Sequence, residues 1–298
     1  MAAEIIDCKA IAATIKGELT KQVAAIAEEG LTPRLAVIVA GDDAASAAYV
    51  RGKQRDSAET GIASDLWQVP GEGEPAAIEA AIRAHIERLN ADPAVDGMIL
   101  QLPLPEDVYE DTLIETIDPR KDVDGLHPEN AGLLVQGAAR YLPATPHGVQ
   151  QILVRSGNDP GGKHVVIVGR SRLVGLPLAN MLVQKRAGAN ATVTLCHTST
   201  PDLAGYTRAA DILVAAAGVP GLITADMVRP GAVVIDVGIS RVDDPSRKRG
   251  YRLAGDVDFE AVAQVARAIT PVPGGVGLMT RAMLLTNVVR AARQFRGR

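Results

Sequence analysis

Two cysteines in 298 residues, Cys8 and Cys196, are too few and too far apart for a disulfide framework or a cysteine zinc site. Plain core or surface thiols in a reducing compartment account for them. No dense run of Lys or Arg occurs, and the net charge is −4, so neither nucleic acid nor an anionic membrane surface is an expected partner. No apolar run reaches the ~18 residues of a membrane span. The stretch Met1 to Asp7 has neither a basic region nor an apolar one, so the sequence predicts a cytoplasmic protein. What is present is a chain 47% hydrophobic and 22% charged, long enough for two domains with cores of their own.

The first quarter alternates helix and strand. Asp7 can cap a helix whose apolar residues Ile11, Ile15, Leu19, Val23 and Ile26 recur every three or four positions, and Gly30 stops it. Leu35 to Ala40 is a continuous apolar run of strand length, as a parallel strand covered on both faces requires. Ile62 to Val69 reads as a second strand, Pro75 to Leu89 as a helix with proline in its first turn, and Val95 to Leu102 as a third strand. That last strand runs into Gln101-Leu102-Pro103-Leu104-Pro105, where the prolines forbid further pairing.

Between the first two strands, turn residues Gly41, Asp42 and Asp43 precede Ser46-Ala-Ala-Tyr49-Val-Arg-Gly-Lys53, and Gly61 follows, which predicts a helix from about Asp43 to Thr60. At 3.6 residues per turn, Ser46, Tyr49 and Lys53 share one face near the carboxyl end of the preceding strand, where open α/β sheets bind ligands. A solvated face is the alternative for such a trio. Further on, between Ile117 and Pro146, the pattern loosens into a long loop containing Asp118, Asp122 and Asp124. Their spacing matches no standard metal loop and Arg120 and Lys121 sit among them, so a capping or substrate-gripping carboxylate is expected, and no metal. The prolines and glycine of Pro143 to Gly148 mark a domain boundary.

A second domain opens with His164 to Val168, then Gly169-Arg170-Ser171-Arg172-Leu173-Val174-Gly175 and a helix to about Gln184. Strand, glycine turn and helix form the dinucleotide-binding arrangement, although G-x-S-x-x-x-G replaces the usual spacing. Ala191 to Cys196, Asp211 to Ala216 and Ala232 to Val237 follow as strands of a doubly wound unit. After the second of the domain's strands no acid appears; Cys196-His197-Thr198-Ser199-Thr200 stands there, and Arg170 stands in the turn. A guanidinium and several hydroxyls suit a 2′-phosphate, which favours NADP over NAD. His197 could be a structural or cofactor contact, or a base. Near the end, Pro271-Val272-Pro273-Gly274-Gly275-Val276-Gly277 can approach a ligand through its backbone. The helix from about Leu278 to Phe295 is expected to return to the first domain.

Taken together, Ser46-x-x-Tyr49-Val50-x-x-Lys53, Asp96-Gly97-x-x-x-Gln101-Leu102-Pro103-Leu104-Pro105, Lys121-Asp122-Val123-Asp124-Gly125, Val168-Gly169-Arg170-Ser171, Ala191-Thr192-Val193-Thr194-x-Cys196-His197 and Pro271 to Gly277 span almost the whole chain. In order, they resemble the bifunctional methylenetetrahydrofolate dehydrogenase/methenyltetrahydrofolate cyclohydrolases. The resemblance implies two α/β domains with a folate cleft between them: residues 1–143 with the returning helix 278–298, and a Rossmann-type NADP domain, 144–277. It implies oxidation of 5,10-methylenetetrahydrofolate with NADP and hydrolysis of the product to 10-formyltetrahydrofolate, a supply of one-carbon units for purine synthesis, by a homodimer. Carried over by motif, Lys53 is the general acid/base, Gln101 orients it, Tyr49 lines the ring system and Asp124 grips the pterin. Ser46, Leu102, Pro103, Pro273, Gly274 and Gly275 complete the folate contacts. Gly169, Arg170, Ser171, Val174, Gly175, His197, Thr198, Val237, Gly238 and Ile239 hold the cofactor.

Three positions depart from the family pattern: Ala144, where Cys is frequent, Thr198, where Ser is common, and Leu278, where Pro usually follows Val-Gly. The first two preserve shape or hydroxyl. Leu278 frees φ at the helix entry and adds a branched side chain at the expected folate wall. The rival readings are a two-domain dehydrogenase of shikimate type and a non-catalytic dinucleotide sensor. The first has no need of a carboxylate aimed at a pterin, and the second no need to retain Lys53, Gln101 and Asp124 together.

Overall fold

The computed structural model describes residues 2–41, 44–247 and 250–296. The chain divides into two compact α/β units, one of residues 14–144 with 281–298 and one of residues 1–13 with 145–280.

In the first unit the strand Arg34–Ala40 lies between Ala63–Val69 and Gly97–Leu100, parallel to both. Its side chains from Leu35 to Ala40 are all buried, which is why the sequence reads as an unbroken apolar run and not as an alternation. The helix Pro75–Ala91 turns Ile78, Ile82, Ile86 and Leu89 onto Ala36, Ile38, Met98 and Leu100. Each of those isoleucine or leucine side chains contributes about 1.5–3 kcal/mol of burial. The helix Ala44–Thr60 follows the central strand directly. The expected turn residues Asp42 and Asp43 lie outside the described residues.

The second unit holds a parallel sheet in the order Glu4–Ile5, Ala268–Ile269, Val233–Asp236, Ile212–Ala215, His164–Val168, Thr192–Cys196. The helix Gly175–Leu182 connects the first two strands of the doubly wound core and ends two residues before the expected Gln184. A two-stranded ribbon, Ser240–Asp243 with Tyr251–Ala254, stands apart from the sheet. Among the described residues no helix is long and apolar enough to cross a membrane.

Three features differ from the sequence expectation. The first thirteen residues go with the second unit, because Glu4 and Ile5 pair in parallel with Ala268 and Ile269 and extend its sheet. Two residues of strand were too short to read. Second, the expected long loop contains the helix Pro128–Val135, with proline in its first turn and the His127 ring accepting the Glu129 N–H; another helix, Ala144–Arg155, begins inside the Pro143 to Gly148 turn. Third, the C-terminal helix starts at Val276, two residues early, and the Leu278 N–H donates to the Gly275 carbonyl at 3.1 Å, a bond proline could not make. Its later part, from Arg281, joins the first unit: Asn287 donates to the Val123 and Leu142 carbonyls at 2.8 Å each, and Arg296 Nε to Asp96 Oδ1 at 2.5 Å.

Candidate active site

Lys53 is only 8% exposed, an unusual state for a lysine, and its amine donates to Gln101 Oε1 at 2.9 Å. Gln101 follows the strand Gly97–Leu100, and its backbone N–H donates to the Ile38 carbonyl. Its own Nε2 donates to the Leu102 carbonyl at 2.6 Å, so the side-chain oxygen is the end left facing the lysine. The prolines beyond it keep the chain irregular, and the Leu102–Pro103 bond is cis. Leu102 is half-buried and Pro103 exposed. Tyr49, one helical turn before Lys53, is half-buried, and burial raises its phenol above the ordinary value while the Arg281 charge opposes this. The backbone of Ser46 belongs to the same helix, but its side chain lies outside the described residues.

Lys121, Asp122 and Val123 hold the Lys121 to Gly125 segment in place. Lys121 Nζ donates to the carbonyls of Leu89, Asn90 and Asp92, capping the end of the helix Pro75–Ala91. Met98 N–H donates to the Lys121 carbonyl and Met98 bridges Asp122, so the segment lies along the edge of the third strand. Asp122 accepts from the Leu126 and His127 N–H groups and from Asn130 Nδ2. Val123 occupies the space over Gly97, where a Cβ would come within 2.3 Å of it. Asp118 pairs with Arg120. Two of the three carboxylates are therefore structural. The Asp124 carboxyl accepts no hydrogen bond among the described residues, and it lies close enough to Lys53 for each charge to act on the other. Burial pushes Asp124 up, with Lys53 opposing and Asp122 adding. Burial pulls Lys53 down, Asp124 opposes, and Arg281 adds. Both groups are thereby drawn toward their uncharged forms.

Two residues that the sequence reading missed complete this wall. Asp56, one turn beyond Lys53 and buried, and the half-buried Arg281, from the C-terminal helix, form an ion pair at 2.5 Å. Helical spacing could have put Asp56 on the Lys53 face, but its partner stands 225 positions away.

The second unit carries a different site. His164–Val168 pairs with Thr192–Cys196 on one side and Ile212–Ala215 on the other, and the chain order reverses across it. Parallel register brings residues 169–171, 197–198, 216–218 and 237–239 to the same end of the sheet, at the switch point where such folds take ligands. The turn needs its glycines. Gly169 has φ of +123°, and a Cβ on it would lie 2.0 Å from the Ala216 carbonyl oxygen; one on Gly175 would lie 1.9 Å from the Gly169 oxygen. Arg170 is exposed, Ser171 Oγ accepts the Val174 N–H at 3.1 Å, and Gly175 opens the helix. His197 Nδ1 accepts the Ser199 N–H and its own N–H donates to Thr200 Oγ1, so the histidine winds its loop and leaves Thr198 exposed. Among the later residues, Val237 is half-buried, Gly238 packs against Asp256 and Ile239 is exposed. A close-approach backbone, a free guanidinium and hydroxyls fit a phosphorylated dinucleotide. In the Pro271 to Gly277 loop, Pro273 and Gly274 are exposed, and Gly275 is packed so that a Cβ would meet the Pro271 oxygen at 2.3 Å.

A lysine held by an amide beside the Asp124 carboxyl in one α/β unit, and a glycine turn at a sheet switch point in another, define a two-unit enzyme of the nicotinamide-dinucleotide class. The chain belongs to the tetrahydrofolate dehydrogenase/cyclohydrolase family: that family's catalytic domain matches residues 6–124 and its NAD(P)-binding domain residues 143–296. It is 53% identical over 291 residues to the bifunctional protein FolD of Salinibacter ruber, covering 98% of this chain and 96% of the relative. The fold is similar to the crystal structure of the Campylobacter jejuni bifunctional enzyme FolD, with TM-score 0.89, 42% identity and coverage of 98% and 99% of the two chains. It is also similar to Trypanosoma brucei FolD complexed with NADP cofactor and inhibitor, with TM-score 0.90, 38% identity and coverage of 100% and 98%.

Proposed function

We propose that the chain oxidises 5,10-methylenetetrahydrofolate to the 5,10-methenyl cation with NADP and hydrolyses that cation to 10-formyltetrahydrofolate. The observation that carries this reading is the buried Lys53 amine, fixed on Gln101 next to the Asp124 carboxyl, which accepts no hydrogen bond among the described residues. A surface lysine would have neither property.

When bound, NADP supplies the acceptor for the hydride that leaves the folate methylene carbon. The Gly169 to Gly175 turn, Arg170, Ser171, Val174, His197 and Thr198 would hold its phosphates and ribose, with Val237, Gly238 and Ile239 toward the nicotinamide. On the folate side Asp124 accepts from the paired amino and ring N–H groups of the pterin, donors that favour its ionised form. Tyr49, Leu102 and Pro103 would supply contacts along the ring system. Hydride transfer removes no proton from the reacting carbon, so positioning carries that step. Hydrolysis needs a base: water attacks the methenyl carbon and gives one proton to the neutral Lys53 amine, Lys53 returns it to the ring nitrogen as the carbon–nitrogen bond opens, and the remaining hydroxyl proton leaves to solvent as the oxygen becomes the formyl carbonyl.

We assign the proton chemistry to the unit containing Lys53 and cofactor binding to the unit containing Arg170. Two buried free thiols support a cytoplasmic location. The assembly inferred from the family resemblance is a homodimer, which sedimentation velocity tests directly.

The reaction is tested by adding methylenetetrahydrofolate and either NADP or NAD to the purified chain and following the reduced-nicotinamide and methenyl absorbances. Reduction of NADP with methenyl appearing and then decaying is expected. No reduction, or oxidation of shikimate instead, overturns the reading.

A further inference from the structure

Asp56 is 2% exposed, and its carboxylate accepts from Arg281 Nε at 2.5 Å and from Lys16 Nζ at 3.3 Å. The guanidinium reaches it by lying across Gly52, where a Cβ would come within 3.2 Å of Arg281 Cδ, 3.3 Å of Nε and 3.4 Å of Cζ. Gly52 immediately precedes Lys53. A side chain from the last helix of the chain is thus laid over the turn that presents the amine, and anchored on the far side of that turn.

We propose that Arg281 is a positioning residue for Lys53: anchored by Asp56, its guanidinium braces the helical turn that carries the amine and sets the charge around it. This rests on the reading of Lys53 as the acid/base of the hydrolysis.

The groups around Lys53 are Gln101 after the third strand, Asp124 with Asp122 behind it on the neighbouring segment, Tyr49 on its own helix and Arg281 from the C-terminal helix. Asp56, Lys16 and Glu59 form the outer ring of the network. Of these, Asp124 favours the protonated amine and Arg281 disfavours it, on top of burial. A base for the hydrolysis must be uncharged when water attacks, so a fixed cation beside it serves the step. Such a cation would by itself repel a methenyl cation. Asp56 supplies the opposite charge, so that the guanidinium acts on the amine at short range while the pair adds no net charge to the site.

The test compares the wild type with Arg281→Met, Arg281→Lys and Lys53→Met. Two readouts are used: the pH profile of methenyltetrahydrofolate hydrolysis, and the titration of the Lys53 Cε carbon by NMR in protein labelled at lysine, the signal being assigned by its loss in Lys53→Met. In Arg281→Met the acid limb of the profile and the Lys53 titration should both move up by about one pH unit, making hydrolysis at neutral pH roughly tenfold slower. Arg281→Lys keeps the charge and should return both toward the wild-type positions. Circular dichroism checks folding, and Arg281→Gln replaces the methionine variant if that one does not fold. A neutral variant whose profile and Lys53 titration both stay at the wild-type positions overturns the role of Arg281 and leaves Lys53 as the base. Wild-type hydrolysis by Lys53→Met overturns the acid/base reading itself.

Discussion

Gln101 offers Lys53 an acceptor and not a donor, because its amide nitrogen already donates to the Leu102 carbonyl at 2.6 Å while its Oε1 receives the lysine amine at 2.9 Å. The amide has one orientation that satisfies both bonds, and it aims a lone pair at the amine. Gln101→Leu removes both bonds at similar volume and leaves the amine free to rotate. Hydrolysis should fall by about ten- to a hundredfold, in the range that positioned proton transfer contributes. An unchanged rate would mean that the lysine needs no orienting group.

Asp124→Ala should impair oxidation and hydrolysis together, since both need the pterin held. Loss of charge-assisted hydrogen bonds to a buried carboxylate corresponds to about 1.5–3 kcal/mol, or roughly ten- to a hundredfold in folate affinity. Binding of a folate to the variant, followed by calorimetry, is the check. Wild-type affinity would remove Asp124 from the site.

Arg170→Ala should weaken NADP by about 1.5–3 kcal/mol and leave NAD nearly unaffected, because only one of the two carries a 2′-phosphate for the guanidinium to pair with. Fluorescence titration of each reduced cofactor compares them directly. Equal losses would show that Arg170 does not read that phosphate.

A pH dependence follows from Asp236, at the end of the strand Val233–Asp236, which accepts the Gly238, Asp256 and Val257 N–H groups. Burial pushes its carboxyl up to about 6, the backbone donors opposing and Asp256 adding to the rise. A carboxyl whose folded value lies above its unfolded value near 3.9 makes its stabilising contribution at low pH and loses it as pH rises through the folded value. The wild type should therefore gain on the order of 2 kcal/mol relative to Asp236→Asn as pH falls from 7 to 4. Urea unfolding of both proteins at several pH values measures this. A pH-independent difference between them would show that Asp236 does not take up a proton in that range.

Much of the fold was legible because its signals are local. The apolar run at Leu35 to Ala40, the proline and spaced isoleucines of the helix Pro75–Ala91, and the strand-glycine-helix sequence at His164 to Gly175 each declare their structure within a few residues. The Asp7 cap was also correct, its Oδ1 accepting the Ala10 N–H at 2.9 Å. What escaped was decided by distant partners. Glu4 and Ile5 are strand only because Ala268 and Ile269 pair with them. The helix Pro128–Val135 lies in a segment whose turn residues suggested loop, yet Pro128 and the His127 ring start it and the Asp122 carboxylate takes the free N–H groups before it. In the site, Lys53 and Gln101 came from motifs, and a hydrogen bond joins them. Arg281 carried no such mark, since its meaning depends on Gly52 leaving space and Asp56 offering charge in another part of the chain.

The central claim is that Lys53 is the proton carrier of the hydrolysis, and the most direct measurement is the fate of methenyltetrahydrofolate in Lys53→Met. This variant keeps the side chain's length and apolar packing while removing the amine that donates to Gln101. Given methylenetetrahydrofolate and NADP, it should still reduce the nicotinamide at a measurable rate but should accumulate the methenyl compound, with hydrolysis reduced to the uncatalysed rate. Hydrolysis at the wild-type rate would contradict the claim and leave Lys53 as a wall of the site.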